Sequence, residues 1–288
     1  MPGWGHQLCF GRVLREMRDA GLTATELGPR GFLPADNAEL TAVLNTHGLR
    51  GVGTFVPVVL HDPSRDPVAD VVGTLGLLAA CGAEVLVVAA ATGANGYDGR
   101  RTLDDTGWAT LFNNLERLTE VATRHGVVAV LHPHVGTMVE TRADVDRVLS
   151  GSSMRLCLDT GHLLIGGTDP VEVARTAPNR VGHVHLKDVD AGLAARVRSG
   201  ELTYTRAVAQ GMYRPLGRGD VGIDEIVSAL RHIGFDGWFV LEQDTVLDGD
   251  PVDGGPLRDV SASLGYLQSV LGGTRLAEEP FSGTRLAE

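Results

Sequence analysis

VGHVHLKD (181–188) alternates apolar and ionisable residues and ends on a lysine and an aspartate. Successive side chains of a strand point to opposite faces, so His183 and His185 share one face and Val184 and Leu186 the other. Three more stretches have the same build: LHPHVGT (131–137), LCLDTGH (156–162) and FVLEQD (239–244). In each, a strand of buried character ends on His, Asp or Glu. His132 and His134 share a face, while Leu131, Leu158 and Leu241 point away, toward a helical layer. Polar groups that repeatedly face inward at strand ends describe the mouth of a parallel barrel. Imidazoles and carboxylates converging there suit a divalent metal.

Outward from these motifs the chain reads as strand–helix units. Strands are expected at 23–27, 51–60, 84–90, 127–133, 155–160, 181–187 and 238–243. Amphipathic helices are expected at 9–20, 36–47, 66–81, 106–125, 141–150, 169–177, 222–233 and 256–271. The strands are apolar runs more than clean alternations, as when both faces are covered. Asp169-Pro170 and Asp224-Glu225 open helices with negative first turns. The alternation predicts an α/β fold, a (β/α)8 TIM barrel. The count leaves eight helices but seven strands, because only MPGWG and a few residues precede the first helix. A start cut short is the expected reason, with closure by another segment as the alternative. Residues 1–272 are expected to form one barrel domain. The repeat of GTRLAE at 273–278 and 283–288 marks a flexible tail over 273–288. Residues 190–221, containing GMYRPLGRGD (211–220), form a long insertion of the kind that shapes a pocket or an oligomer contact.

The 288 residues carry a net charge of −11, with 25 Lys and Arg against 36 Asp and Glu. That balance argues against a nucleic-acid groove, which needs a basic face. Three widely spaced cysteines, Cys9, Cys81 and Cys157, exclude a disulfide framework and fit a reducing cytoplasm. No signal region and no apolar run of membrane-spanning length occurs, so no membrane partner is expected.

Each motif also has an ordinary reading. An HxH pair in a strand is weak by itself, Asp159 can cap a helix, and Glu242 can be an ion-paired core carboxylate. Two imidazoles and a lysine in HVHLKD are costly to bury without partners. Four independent coincidences at the same end of four strands are a poorer explanation than one metal site.

On these motifs the chain resembles the xylose-isomerase-like TIM-barrel superfamily of sugar isomerases and epimerases. Within it the chain is most similar to the inosose dehydratases, which dehydrate 2-keto-myo-inositol. The likeness runs from WG (4–5) and TELGPRGFLP (25–34) through HPHVGT, DTGH and HVHLKDV to LEQD, and TELGPRGFLP and HVHLKDV are its more specific parts. The superfamily holds one divalent ion with Glu, Asp, His and Glu from four strands. By position, the resemblance implies Asp159, His185 and Glu242 as ligands, and the remaining glutamate falls on His132. Imidazole still binds Mn2+, Co2+ or Zn2+, with Mg2+ a further alternative, at the loss of one negative charge. Glu140 is an alternative ligand to His132. LGRG at 216–219 departs from the PGDG-like turn more usual in inosose dehydratases.

The resemblance implies a lyase that enolises a keto-polyol and eliminates water. Glu242 or Glu140 would be the base and His162 or His134 the acid. Glu26 and Lys187 would bind substrate oxygens, Lys187 alternatively pairing with Asp188 or a strand-end carboxylate. His183 would bind substrate with them or orient the metal site. A metal-dependent sugar or hydroxypyruvate isomerase or epimerase is the first alternative, and a non-catalytic metal- or polyol-binding barrel the second. The expected partner is a small polyol or sugar, and the expected assembly a homodimer or homotetramer.

Overall fold

The structure, a computed structural model, describes residues 4–99, 101–252 and 254–272, together with the backbone of Arg285–Ala287. Strands and helices alternate: α1 (Phe10–Asp19), β1 (Ala24–Glu26), α2 (Asn37–Thr46), β2 (Arg50–Val58), α3 (Pro67–Cys81), β3 (Val85–Ala90) and α4 (Asp105–Arg124). There follow β4 (Val128–Leu131), α5 (Arg142–Gly151), β5 (Arg155–Asp159), α6 (Thr160–Gly166), α7 (Pro170–Thr176) and β6 (Val181–Leu186). The insertion contains β7 (Asp188–Val189), α8 (Ala191–Arg198), α9 (Tyr204–Ala209) and β8 (Tyr213–Arg214). The chain then returns through α10 (Ile223–His232), β9 (Trp238–Leu241), α11 (Gly255–Gly272) and β10 (Arg285–Ala287).

All seven expected strands and eight expected helices are present, their ends displaced by a residue or two except where strands stop earlier at the barrel mouth. Local chemistry explains the helix starts. The Asp36 carboxylate accepts from Ala38 N and Glu39 N, and Thr141 and Asp144 form a reciprocal capping box. Asp169 caps α7 ahead of Pro170, whose missing N–H costs nothing at that position. Gly82 ends α3 in the left-handed conformation that glycine adopts without strain.

The main sheet is parallel, in the order β1-β2-β3-β4-β5-β6-β9-β10. No strand precedes α1 among the described residues. The place between β9 and β1 is taken by β10, which pairs with β9 from Arg285↔Trp238 to Ala287↔Val240 and comes alongside β1. A segment from near the C-terminus therefore stands where a strand ahead of α1 was expected. Three residues of the expected flexible tail are strand, and residues 273–284 and 288 lie outside the described residues. The architecture is the expected TIM barrel.

Two apolar layers follow from strand alternation. Leu86, Val88, Leu131, Leu156, Leu158, Val184, Leu186 and Leu241 face outward and pack under the helices. Ala24, Val52, Val85, Val87, Val130, Cys157 and Val240 fill the barrel interior below the strand ends. Above that interior layer, the inward positions turn polar.

Candidate active site

The polar residues that follow the interior valines converge at the C-terminal mouth of the barrel. Asp159 ends β5 and is paired in register with His185 of β6. His132 follows β4, Lys187 follows β6 and Glu242 follows β9. Asp159 is fully buried and works at two places. Its Oδ1 accepts from His162 N at 2.7 Å, capping α6, so the helix-cap reading of this residue also holds. Its Oδ2 points into the barrel, 3.2 Å from His132 Nε2, 3.6 Å from His185 Nδ1 and 3.1 Å from Lys187 Nζ.

Glu242 Oε2 lies 3.3 Å from His185 Nδ1 and 2.5 Å from Lys187 Nζ. Asp244 Oδ2 is a third carboxylate oxygen on Lys187, at 3.3 Å. The lysine thus pairs with strand-end carboxylates and not with Asp188. Its backbone is pinned by the Thr160 hydroxyl, which accepts from Lys187 N and donates to Lys187 O.

Three of the converging atoms, Asp159 Oδ2, His185 Nδ1 and Glu242 Oε2, are buried and make no hydrogen bond of acceptable geometry. Buried polar atoms without partners are costly. Lys187 offsets part of that cost for the two carboxylates, and a cation would offset the rest: Asp159, His185 and Glu242 offer ligand atoms within 4.8 Å of one another, with His132 Nε2 beside Asp159, a mixed nitrogen and oxygen set that suits a divalent ion. His132 Nδ1 donates to Pro133 O at 2.9 Å, which leaves its Nε2 lone pair facing inward.

Glu26 is placed differently from the expectation that it binds substrate. Its Oε1 accepts from His183 Nε2 at 2.8 Å and from His185 Nε2 at 3.0 Å. The carboxylate therefore directs Nδ1 of His185 toward Asp159 and Glu242, as an outer carboxylate does for a ligand imidazole. Burial would raise the Glu26 carboxyl, but the charge of His185 and the bonds from both imidazoles hold it at about 2. Burial opposes charge on His185 as well, and facing Cys157, Glu242 and Glu26 outweigh it. Lys187 is likewise held charged against burial by Asp159, Asp244 and Glu242.

His134 lines the cavity and stacks on His162 with ring centroids 3.7 Å apart. Burial, then the charges of His132 and Lys187, push it down to about 3. Its Nδ1 donates to Val135 O at 2.7 Å, so neutral His134 presents a lone pair at Nε2, the form of an acceptor and not of the expected acid. His162 is buried behind it, takes a long bond from Val135 N and does not border the cavity. Glu140 is not brought to the site, because its Oε2 accepts from Gly136 N at 2.9 Å inside the 133–140 loop. Gly136, at φ 73°, allows Tyr97 to approach so closely that an added Cβ would lie 2.4 Å from Tyr97 O.

The cavity above these groups has a volume of about 340 Å³. Glu26, His132, His134, Lys187, Glu242 and Asp244 supply its polar side, and Phe32, Phe55 and Tyr97 its aromatic side. Behind His162, the insertion contributes Tyr204 and Tyr213, whose hydroxyls meet at 2.9 Å. Lys187 Nζ sits 5.7 Å from the Tyr213 ring. The sequence reading missed both tyrosines; only their place in a long loop at the barrel mouth signals them. A buried carboxylate, Asp188, holds this loop. Its Oδ2 accepts from Gly217 N and Gly219 N, and its Oδ1 from Val221 N and Val189 N, all at 2.8–3.0 Å. No helix among the described residues is long and apolar enough to cross a membrane.

A family model described as xylose isomerase-like TIM barrel matches residues 14–269. An inosose dehydratase of Geobacillus kaustophilus is 31% identical over 255 residues, 84% of this chain and 82% of that protein. The rhizopine catabolism protein MocC of Rhizobium meliloti is 33% identical over 267 residues, 89% of this chain and 80% of that protein. Among solved structures, D-psicose 3-epimerase from Clostridium cellulolyticum superposes with a TM-score of 0.69 at 19% identity, covering 93% of this chain and 96% of that one. The probable 3-DHS dehydratase AsbF from Bacillus anthracis gives 0.66 at 16%, covering 91% and 94%. The two structural likenesses speak for the fold.

Proposed function

Because the chain belongs to the xylose isomerase-like TIM barrel family and is an enzyme of it, we propose that it is a metal-dependent lyase that dehydrates a keto-polyol such as 2-keto-myo-inositol. One observation carries the reading: Asp159 Oδ2, His185 Nδ1 and Glu242 Oε2 converge without hydrogen bonds beside His132 Nε2, in a family whose inosose dehydratase relative is 31% identical. His132, Asp159, His185 and Glu242 would hold the ion, with Mn2+ or Co2+ suited to this mixed nitrogen and oxygen set and Zn2+ or Mg2+ as rivals. When bound, the ion supplies Lewis acidity that polarises a ketone and acidifies the adjacent C–H.

The side chains do the rest. Glu242, kept ionised by His185 and Lys187 against its burial, takes the proton beside the ketone. The C–H electron pair becomes the new double bond as the C–O bond on the next carbon breaks. The Lys187 ammonium borders the cavity and gives the departing hydroxyl its proton, so water leaves. Glu242 then returns a proton to Lys187 across 2.5 Å, and both groups are restored. His134 Nε2 accepts from a substrate hydroxyl and fixes its orientation, with Phe55 and Tyr97 packing nearby.

The reading takes the chain as one barrel domain, 1–272 with the strand Arg285–Ala287 added to it, in the cytoplasm, where the free thiols of Cys9, Cys81 and Cys157 stay reduced. It takes the assembly as a homodimer or homotetramer, which light scattering decides. Protein loaded with Mn2+ or Co2+ and given 2-keto-myo-inositol should generate the absorbance of a dione. Unchanged substrate, with epimers or aldose–ketose isomers formed from other sugars or from hydroxypyruvate, would sink the proposal in favour of an isomerase.

A further inference from the structure

Lys187 is the only lysine in the chain, and every other Lys or Arg position holds arginine. An ammonium is a compact point charge on a flexible stem. Here the stem is confined. The Thr160 hydroxyl bonds both the N–H and the carbonyl of Lys187, and a Cβ added at Gly161 would lie 2.8 Å from Lys187 Cβ. Only the tip is left to be placed. Three carboxylate oxygens surround it, from Asp159 at 3.1 Å, Glu242 at 2.5 Å and Asp244 at 3.3 Å. A buried charge needs such partners. Two of the three are shared. Asp159 and Glu242 offer ligand atoms that converge with His185, and neither Asp159 Oδ2 nor Glu242 Oε2 receives a hydrogen bond from the ammonium. Asp244 belongs to no such converging group among the described residues. It stands two residues beyond Glu242 and borders the same cavity as Lys187.

We infer that Asp244 is the positioning residue for Lys187, the carboxylate that holds the ammonium at the cavity when Asp159 and Glu242 face the ion. This rests on the metal-centre reading above and gives a role to a carboxylate which that reading leaves without one. A divalent cation at Asp159 and Glu242 draws on the negative charge that otherwise balances Lys187, and it repels the ammonium as well. Asp244 is then the remaining carboxylate beside Nζ, with the Tyr213 ring 5.7 Å away as a weaker partner. Asp244 exchanges no proton and acts only through the lysine. A guanidinium, always charged, could not donate the proton assigned to Lys187, which fits a lysine at the one position where the chain departs from arginine.

A single lysine makes the test direct, because protein grown with 13C-lysine reports Lys187 alone. Its two Hε protons should give separate signals in wild type before and after Zn2+ is added, the mark of a side chain held in one place. In Asp244→Asn they should be separate before Zn2+ and merge into one averaged signal after it. Asp244→Glu, which restores a carboxylate, should keep them separate. Asp244→Asn should also bind Zn2+ about tenfold more weakly, since the ammonium then competes for Asp159 and Glu242, and Lys187→Met should remove most of that difference, as expected of groups in one network. Merged signals in Zn2+-loaded wild type, separate signals in Zn2+-loaded Asp244→Asn, or an equal loss of affinity with and without the lysine would each overturn the assignment. Wild-type protein whose lysine signals and calorimetry show no response to Zn2+, Mn2+ or Co2+ would overturn the metal-centre reading itself. The wild-type spectrum decides by itself should a variant fail to fold.

Discussion

Replacing Asp188 by asparagine should loosen the 217–221 end of the insertion that follows β6. The carboxylate takes four backbone N–H groups, two on each oxygen. Asparagine keeps one carbonyl oxygen. Placed at the more buried Oδ1 position it still serves Val189 N and Val221 N, but its NH2 then opposes the N–H groups of Gly217 and Gly219. Hydrogen bonds to a charged group are worth about 1.5–3 kcal/mol each, so two of them set a ceiling of about 3–6 kcal/mol. Gly217 is exposed and Gly219 half-buried, so water recovers part of that loss. The expected cost is about 2–3 kcal/mol, or a fall in Tm of roughly 5–10 °C for a chain of this size. Urea unfolding at neutral pH measures it, and trypsin should cut after Arg218 faster in the variant than in wild type. A change in stability below about 0.5 kcal/mol, with unaltered cleavage, would refute the assignment of Asp188 as the anchor of this loop.

Gly219→Ala should act on the same anchor from the other side, because an added Cβ would lie 2.3 Å from Asp188 Oδ1. Its Tm should fall, and a wild-type Tm would contradict the contact. Glu26→Gln should weaken Co2+ or Mn2+ binding by about 10–100-fold, the usual effect of losing the carboxylate behind a ligand imidazole. Unchanged affinity in calorimetry would argue that Glu26 does not direct His185. Glu26 also sets an acid limit for the metal-free protein. Its carboxyl is held at about 2 in the fold, against 4.5 ordinarily. Its contribution to stability is therefore complete above pH ~4.5 and is lost as pH falls toward about 2. Denaturation midpoints of wild type and Glu26→Gln should converge over that interval, and a gap independent of pH would count against the assignment.

The architecture was readable because every βα unit carries its own signals. Apolar strands end on ionisable residues, and Asp36, Thr141 and Asp169 mark helix starts within three residues of the groups they cap. The convergence of His132, Asp159, His185 and Glu242 could be expected for the same reason, since parallel strands bring their C-terminal ends to one mouth. What was not readable depends on distant partners. Glu26 meets His183 and His185 more than 150 residues away, and that pairing turns an expected substrate ligand into an orienting group. Asp188 finds three of its four donors about thirty residues on, inside a loop without periodicity. Glu140 had the right chemistry but is tied by Gly136, four residues back, into its own turn. The strand at Arg285–Ala287 is three residues long, too short to register as a pattern, and its pairing with Trp238–Val240 exists only in the assembled barrel.

The most direct test of the account is the binding stoichiometry of a divalent ion, measured by calorimetry on metal-stripped wild type and Asp159→Ala. Asp159 Oδ2 is the atom on which His132, His185 and Lys187 all converge. The account predicts about one ion per chain in the wild type, with release of protons, and at least ~10-fold weaker binding in Asp159→Ala. Wild-type protein that takes up no ion, or a variant that binds as tightly as wild type, would contradict it.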